Sequence, residues 1–242
     1  MDRAGGRPVI STNIHIICSD ETRNGKTMFT RLYAELLRLG TDQPPRIIDT
    51  DYPKGTTARY FPERCDLINL SNTSGQIRLF DTILDNPGLD HVIDLEAHHF
   101  ERFFKIFSDI DYERAAAEAG MGVAVFYVLD RTLSSIQNAI ILRRQLKSSR
   151  FVLVRNDAVG AFRAPVYGER ELSQIGTDRQ IRLPVLSTDV LDFVEDPEFN
   201  LTDFVLQRQH TLPEWLAEEL WAVLEAIYEQ QPIGTAENKL SA

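Results

Sequence analysis

Gly25-Lys26-Thr27 brings together the residue types that bind phosphate. The triplet follows an apolar run, Ile14 to Cys18, and opens a helical pattern. That is the strand, loop and helix order in which a backbone cradles an anion. N–H groups of the loop and the first helical turn, together with the helix dipole, supply partial positive charge. Lys26 adds a point charge for the outer phosphates, and the Thr27 hydroxyl can complete a Mg²⁺ shell. Arg23, Asn24, Gly25 and Met28 complete the set of cofactor-binding candidates in this loop. A standard phosphate loop has glycine where this chain has Asp20, and Gly25 is the only glycine of the stretch. Asp20 and Glu21 are unfavourable beside a triphosphate unless they point away or pair with Arg23. The same residues also fit an exposed polar turn before an ordinary amphipathic helix.

Acids and amides recur at the ends of other apolar runs. Asp49 and Asp51 follow Arg46–Ile48, Asp94 falls within His91–Leu95, and Asn156-Asp157 follow Phe151–Val154. In open α/β sheets the ligand lies beyond the carboxyl ends of the strands. Acids gathered there, facing a phosphate loop, suit Mg²⁺-dependent phosphoryl chemistry: one holds the metal shell and another orients or deprotonates the attacking water. Any one of them, taken singly, is equally well a helix cap or turn residue.

The elements that would position these residues alternate between apolar runs and helical periodicity, which is the pattern of a mostly parallel sheet. Strands are predicted at Ile14–Cys18, Arg46–Asp49, Leu67–Leu70, His91–Leu95, Val123–Leu129, Phe151–Val154 and Leu183–Leu186. Val123–Leu129 is a continuous apolar run, as a central strand covered on both faces requires. Helices are predicted through Met28–Leu37 (ended by Gly40), Ile77–Leu84, Ile136–Leu146 and, after Pro213, Leu216–Tyr228. The chain has 242 residues, 43% hydrophobic and 26% charged, which suits one large α/β domain. We assign 1–12 as a flexible N-terminal segment, 13–230 as a single P-loop NTPase-like domain with helices on both faces, and 231–242 as a flexible tail.

A net charge of −10 argues against direct gripping of nucleic acid, which needs an excess of Lys and Arg. It leaves room for a protein partner that is itself bound to DNA. Cys18 and Cys65 are too few and too far apart for a disulfide framework. No run is long enough for a transmembrane helix, and no hydrophobic signal core opens the chain, so a cytoplasmic location is expected.

These motifs resemble the ParA/MinD group of P-loop ATPases, over about three quarters of the chain. The loop Ser19–Thr27 has the length of that family's deviant phosphate loop. Ile47-Ile48-Asp49-Thr50-Asp51-Tyr52-Pro53 is similar to its Asp-x-Asp-Pro segment, His91–Asp94 to its metal-binding strand, and Phe151–Asn156 to the strand whose terminal Asn reads adenine. The resemblance implies ATP and Mg²⁺ as cofactors. Lys26 and Asp51 would be catalytic, Thr27 and Asp94 would hold the metal, and Asn156 would read the base. It also implies a role in plasmid or chromosome partition or conjugative mobilisation, and a nucleotide-dependent homodimer. Glu21 stands where the family has its signature lysine, Thr22 and Arg23 where it has glycines, and Leu95-Glu96-Ala97 where it has Pro-Pro. Weak hydrolysis is therefore expected, with Arg23 as the substitute contact across a dimer.

Two other functions stay open at this level. One is a degenerate relative acting as a protein-interaction module, and the other a small-molecule kinase or ligase on the same fold. The long loop 52–66, with Lys54, Arg59 and Arg64, is the candidate for receiving a partner or acceptor. His98-His99 is read as no metal site, since adjacent residues cannot both face one ion easily on a helix. Arg143, Arg144 and Lys147 are read as a solvated helix face, and Arg163 and Arg170 as loop residues. The last helix carries Glu214, Glu218, Glu219, Glu225 and Glu229 and no Lys or Arg, which argues against docking on anionic lipid.

Overall fold

Seven parallel strands form one sheet in the order β3-β2-β4-β1-β5-β6-β7. The computed structural model describes residues 11–40, 43–177, 179–196, 198–206 and 212–230. In chain order the strands are β1 (Ser11–Cys18), β2 (Arg46–Asp49), β3 (Cys65–Leu67), β4 (His91–Asp94), β5 (Met121–Leu129), β6 (Arg150–Asn156) and β7 (Arg179–Leu183). The helices are α1 (Lys26–Gly40), α2 (Thr73–Leu84), α3 (Phe100–Asp109), α4 (Tyr112–Glu118), α5 (Leu133–Gln145), α6 (Pro165–Leu172), α7 (Thr188–Glu195), α8 (Leu201–Val205) and α9 (Glu214–Gln230).

Successive strand residues point to opposite faces, and both faces are apolar. On β5, Val123, Val125, Tyr127 and Leu129 pack under α2–α5, while Ala124, Phe126 and Val128 pack under α1 and α7–α9. Phe151 and Leu153 of β6 face the first layer, and Val152 and Val154 the second. This two-sided burial is why the central strands read as unbroken hydrophobic runs. The α3 stripe, Phe100, Phe103, Phe104 and Phe107, recurs at helical spacing and is buried throughout.

Several expected boundaries move. The strand expected at Leu67–Leu70 is Cys65–Leu67, because parallel pairing with Ile47–Asp49 fixes its register; Ile68 and Leu70 then turn into the core. The strand expected at Leu183–Leu186 is Arg179–Leu183. Pro184 has no N–H to continue the ladder, and β7 is an edge strand whose Arg179, Gln180 and Arg182 face outward. β1 begins at Ser11, two residues inside the stretch assigned to the N-terminal segment. The segment containing Arg170, read as loop, is helix α6, with Pro165 in its first turn. Residues 1–10 and 231–242 lie outside the described residues.

One buried carboxylate joins α4 to the turn between α5 and β6. Glu113 of α4 accepts from Lys147 N (2.9 Å), Ser148 N (2.9 Å), Ser149 N (2.6 Å) and Ser149 Oγ (2.6 Å), pinning the α5–β6 turn. Burial alone would raise its pKa, but these donors outweigh it and hold the carboxyl below its ordinary value. A depressed carboxyl stabilises the fold above its unfolded-state pKa, and that stabilisation is lost as pH falls through the folded value. Glu113→Gln should cost about 1.5–3 kcal/mol at pH 7, the range for hydrogen bonds to a charged group. Urea unfolding of both proteins checks it, with the gap shrinking in acid as the wild-type carboxyl protonates.

Candidate functional site

β1 delivers the chain to its carboxyl end at Cys18, and the loop Ser19–Gly25 turns it into α1, whose first residue is Lys26. Asn24 stitches the loop down: its Nδ2 donates to Ser19 Oγ (2.5 Å) and to Val128 O on β5 (2.9 Å). Arg23 (φ 60°) and Gly25 (φ 90°) both adopt left-handed conformations. At Gly25 a side chain is strained and crowded: a Cβ there would lie 2.2 Å from Asn156 Nδ2, which would have to move. Asn156 Nδ2 itself donates to Asn24 O (3.0 Å), so β6 braces the loop from the side. Gly25→Ala should therefore destabilise by about 1–3 kcal/mol through backbone strain and displacement of Asn156. Thermal unfolding measures it, and an unchanged midpoint would contradict the tight packing.

Asp20 does not face the phosphate loop's mouth. Its Oδ1 accepts from Tyr127 OH (2.5 Å) and Ser135 Oγ (2.9 Å), and its Oδ2 from Asn138 Nδ2 (2.7 Å), which anchors the loop to β5 and α5. Glu21, by contrast, lines the cleft. No ion pair joins it to Arg23 among the described residues.

Asp94, the last residue of β4, is the centre of the site. Lys26 Nζ pairs with its Oδ1, and Thr27 Oγ1 donates to its Oδ2 at 3.0 Å. The Thr57 hydroxyl donates to the same Oδ2. Both Lys26 and Asp94 are buried. Burial pulls the Lys26 ammonium down, but the charge and hydrogen bond of Asp94 more than offset this, and its pKa lies above the ordinary lysine value.

The two acids at the end of β2 and just beyond it divide their roles. Asp49 is a structural cap: its Oδ1 accepts from Asp51 N (2.9 Å), and its Oδ2 from Thr57 N (2.7 Å) and Ala58 N (2.9 Å). Desolvation raises its pKa against those donors. Asp51 lines the cleft, 8% exposed, with no hydrogen bond or ion pair to its carboxylate among the described residues. Holding the chain at Asp49 thus presents Asp51 to the ligand space.

That space is a cleft of about 720 Å³, bounded by the phosphate loop, the residues after β2 and β4, and the carboxyl ends of β6 and β7. Arg23, Asn24, Gly25, Lys26, Thr27, Met28, Asp51 and Asn156 all line it. Asp94 lies beneath, reached through Lys26 and Thr27.

The chain is similar to ParA-family ATPases. The ParA-family ATPase of Chlorobium tepidum TLS aligns at 13% identity and a TM-score of 0.49, over 81% of this chain and 98% of that one. A nucleotide-binding protein from Archaeoglobus fulgidus, solved with ADP, aligns at 12% and 0.49, over 85% and 90%. MinD in the Aquifex aeolicus MinC:MinD cell division complex aligns at 14% and 0.43, over 87% and 96%. No family model matches the sequence, and no curated protein matches it.

Asn156 also has a duty within the protein. Its Oδ1 accepts from Ala158 N (3.0 Å) and its Nδ2 holds Asn24 O, so the amide first serves the loop. One amide proton and one lone pair remain for a ligand. Asp157 pairs with Arg182 (2.9 Å) and is structural. His98 Nδ1 lies 3.3 Å from Glu96, and no group of three metal-binding side chains occurs among the described residues. No helix of the described residues is long and apolar enough to cross a membrane.

Three contributors escaped the sequence reading. Thr57 is buried in a loop that showed only its charges. Glu96, in the tripeptide after β4, lines the cleft. Arg31, a polar residue in the α1 pattern, lies 2% exposed against it. The signal for Arg31 was present in its spacing: it is four residues after Thr27, hence on the same helix face.

Proposed function

We propose that this protein binds ATP with Mg²⁺ in the cleft and is a weak, ParA/MinD-like ATPase of the cytoplasm. Its work would be in plasmid or chromosome partition or conjugative mobilisation, through a protein partner and a homodimer. The observation that carries the nucleotide reading is the convergence of Lys26 and Thr27 on Asp94 at the amino end of α1. A lysine, a hydroxyl and a strand-end carboxylate so placed have the chemistry of a phosphate and metal site.

The donor set suits Mg²⁺: two hard oxygens, Thr27 Oγ1 and Asp94 Oδ2, lie 3.0 Å apart beside the helix terminus, and substrate phosphates and water complete such shells. When bound, the ion would neutralise phosphate charge. Lys26 would exchange its contact with Asp94 for the outer phosphates. Asp51, whose carboxylate carries no other duty, would orient the attacking water and accept its proton. The loop N–H groups would hold the phosphate chain, and Asn156 would contact the base with its remaining donor and acceptor.

Calorimetric titration with Mg-ATP tests this reading. Lys26→Ala should weaken binding by about 1.5–3 kcal/mol, the range for a charge-assisted contact. Equal affinities, or no binding by either protein, would overturn the nucleotide reading in favour of an interaction module.

A further inference from the structure

The cleft extends past the phosphate loop along α1. Thr27 and Arg31 are four residues apart, so the Arg31 side chain sits about one helical turn, roughly 5–6 Å, beyond the phosphate end. Its guanidinium stacks on the Tyr60 ring at 3.4 Å and donates from Nη2 to Val194 O (2.6 Å) near the end of α7. Tyr60 OH in turn donates to Glu195 O (2.9 Å) and accepts from Arg59 Nη2 (2.8 Å). Arg59 also lies over the same ring, 4.7 Å from its centroid.

Two guanidinium groups therefore share one aromatic ring, and neither has a carboxylate within ion-pair distance among the described residues. Glu195 lines this end of the cleft but makes no ion pair among the described residues. Arg31 Nε is buried with no hydrogen-bond partner. Burial, with the Arg59 charge adding to it, moves the Arg31 pKa down to about 10, against the opposing pull of Tyr60 and the Glu195 carboxylate. Exposed Lys54 lines the same cleft, again without an ion pair among the described residues. A buried cation beside a like charge, offset only by the more distant Glu195 carboxylate, the Tyr60 ring and one carbonyl, is costly, and an anion seated there would lower that cost. The wall opposite is apolar, formed by Leu186 and Leu191 of the β7–α7 connection and α7.

We propose that the end of the cleft between α1, Arg59-Tyr60 and α7 is a second binding site, for a small molecule bearing a carboxylate or phosphate on an apolar body. Arg31 and Arg59 hold the anion, Tyr60 fixes both cations in place, and Leu186 and Leu191 take the body. The site lies beside the nucleotide space. The proposal stands on this cluster alone and does not require that nucleotide bind.

The test uses full-length protein carrying Lys26→Gln, which removes the lysine charge of the phosphate loop but keeps a donor beside Asp94, titrated calorimetrically with hexanoate and with inorganic phosphate once a wild-type circular dichroism spectrum confirms the fold. Saturable binding of at least one anion is expected, weakened about tenfold or more by adding Arg59→Ala, an exposed position where misfolding is not a concern. Tighter hexanoate identifies a carboxylate ligand, and tighter phosphate a phosphorylated one. No binding of either anion overturns the proposal. So does binding that Arg59→Ala leaves unchanged, which would put the anion at the phosphate loop. Failure of ATP to bind wild type would sink the nucleotide reading and leave this titration unaffected.

Discussion

Asp94→Ala should lower the stability of the fold by about 3–5 kcal/mol, the range for removing one partner of a buried ion pair. Lys26 is 8% exposed, and Asp94 is its only ion-pair partner among the described residues, so alanine strands a buried ammonium. The Thr27 and Thr57 hydroxyls lose their acceptor in the same step. Asp94→Asn keeps an oxygen acceptor for those hydroxyls and should cost less. The effect belongs to neutral pH. Because the Lys26 pKa is raised in the fold, the pair's stabilisation is complete below the ordinary lysine value and is lost only as pH climbs through the higher folded one. Urea unfolding followed by circular dichroism reads the difference. A wild-type midpoint for Asp94→Ala would mean that Lys26 reaches water without help. Since stability is at stake, Asp94→Asn is the better variant for asking whether Mg²⁺ strengthens nucleotide binding.

Asp51→Ala is expected to behave in the opposite way. Its carboxylate has no hydrogen-bonding partner in the described structure, so the fold should lose little, and Mg-ATP affinity should hold within a factor of about two to three. Turnover should fall by roughly 10²–10⁴-fold, the usual contribution of a positioned acid or base. Steady-state hydrolysis alongside binding separates the two, because a loss in kcat at constant affinity marks an interaction made only in the transition state. If hydrolysis survives in Asp51→Ala, the water is positioned elsewhere. Glu96, which also lines the cleft, is then the next carboxylate to replace.

Legibility in the sequence followed the range of the interactions. The strand cores at 14–18, 123–129 and 151–154 were readable because burial on both faces leaves a continuous apolar run, a property of neighbouring residues. The α3 stripe of Phe100, Phe103, Phe104 and Phe107 has the same local character, and its spacing carried a helix signal that went unread. β3 and β7 were displaced by two or more residues because pairing with a distant strand, not local propensity, sets where a short strand begins.

By itself, the sequence determined the α/β alternation, the strand–loop–helix context of Lys26 and Thr27, and the strand-end positions of Asp51 and Asp94. Each of these follows from periodicity and from the rule that ligands sit at carboxyl ends of strands. Tertiary structure alone decided which polar groups remain for a ligand. Asp20 turns away because Tyr127, Ser135 and Asn138, more than a hundred positions later, supply its hydrogen bonds. Asp49 becomes a cap and Asp51 does not, although they are two residues apart in one acidic motif. Arg31, which its spacing from Thr27 places on the cleft face of α1, is buried by Tyr60 and the end of α7, partners that spacing does not specify. Charge and hydrogen-bond partnership are properties of groups brought together in space, and a linear pattern specifies the groups without specifying their partners.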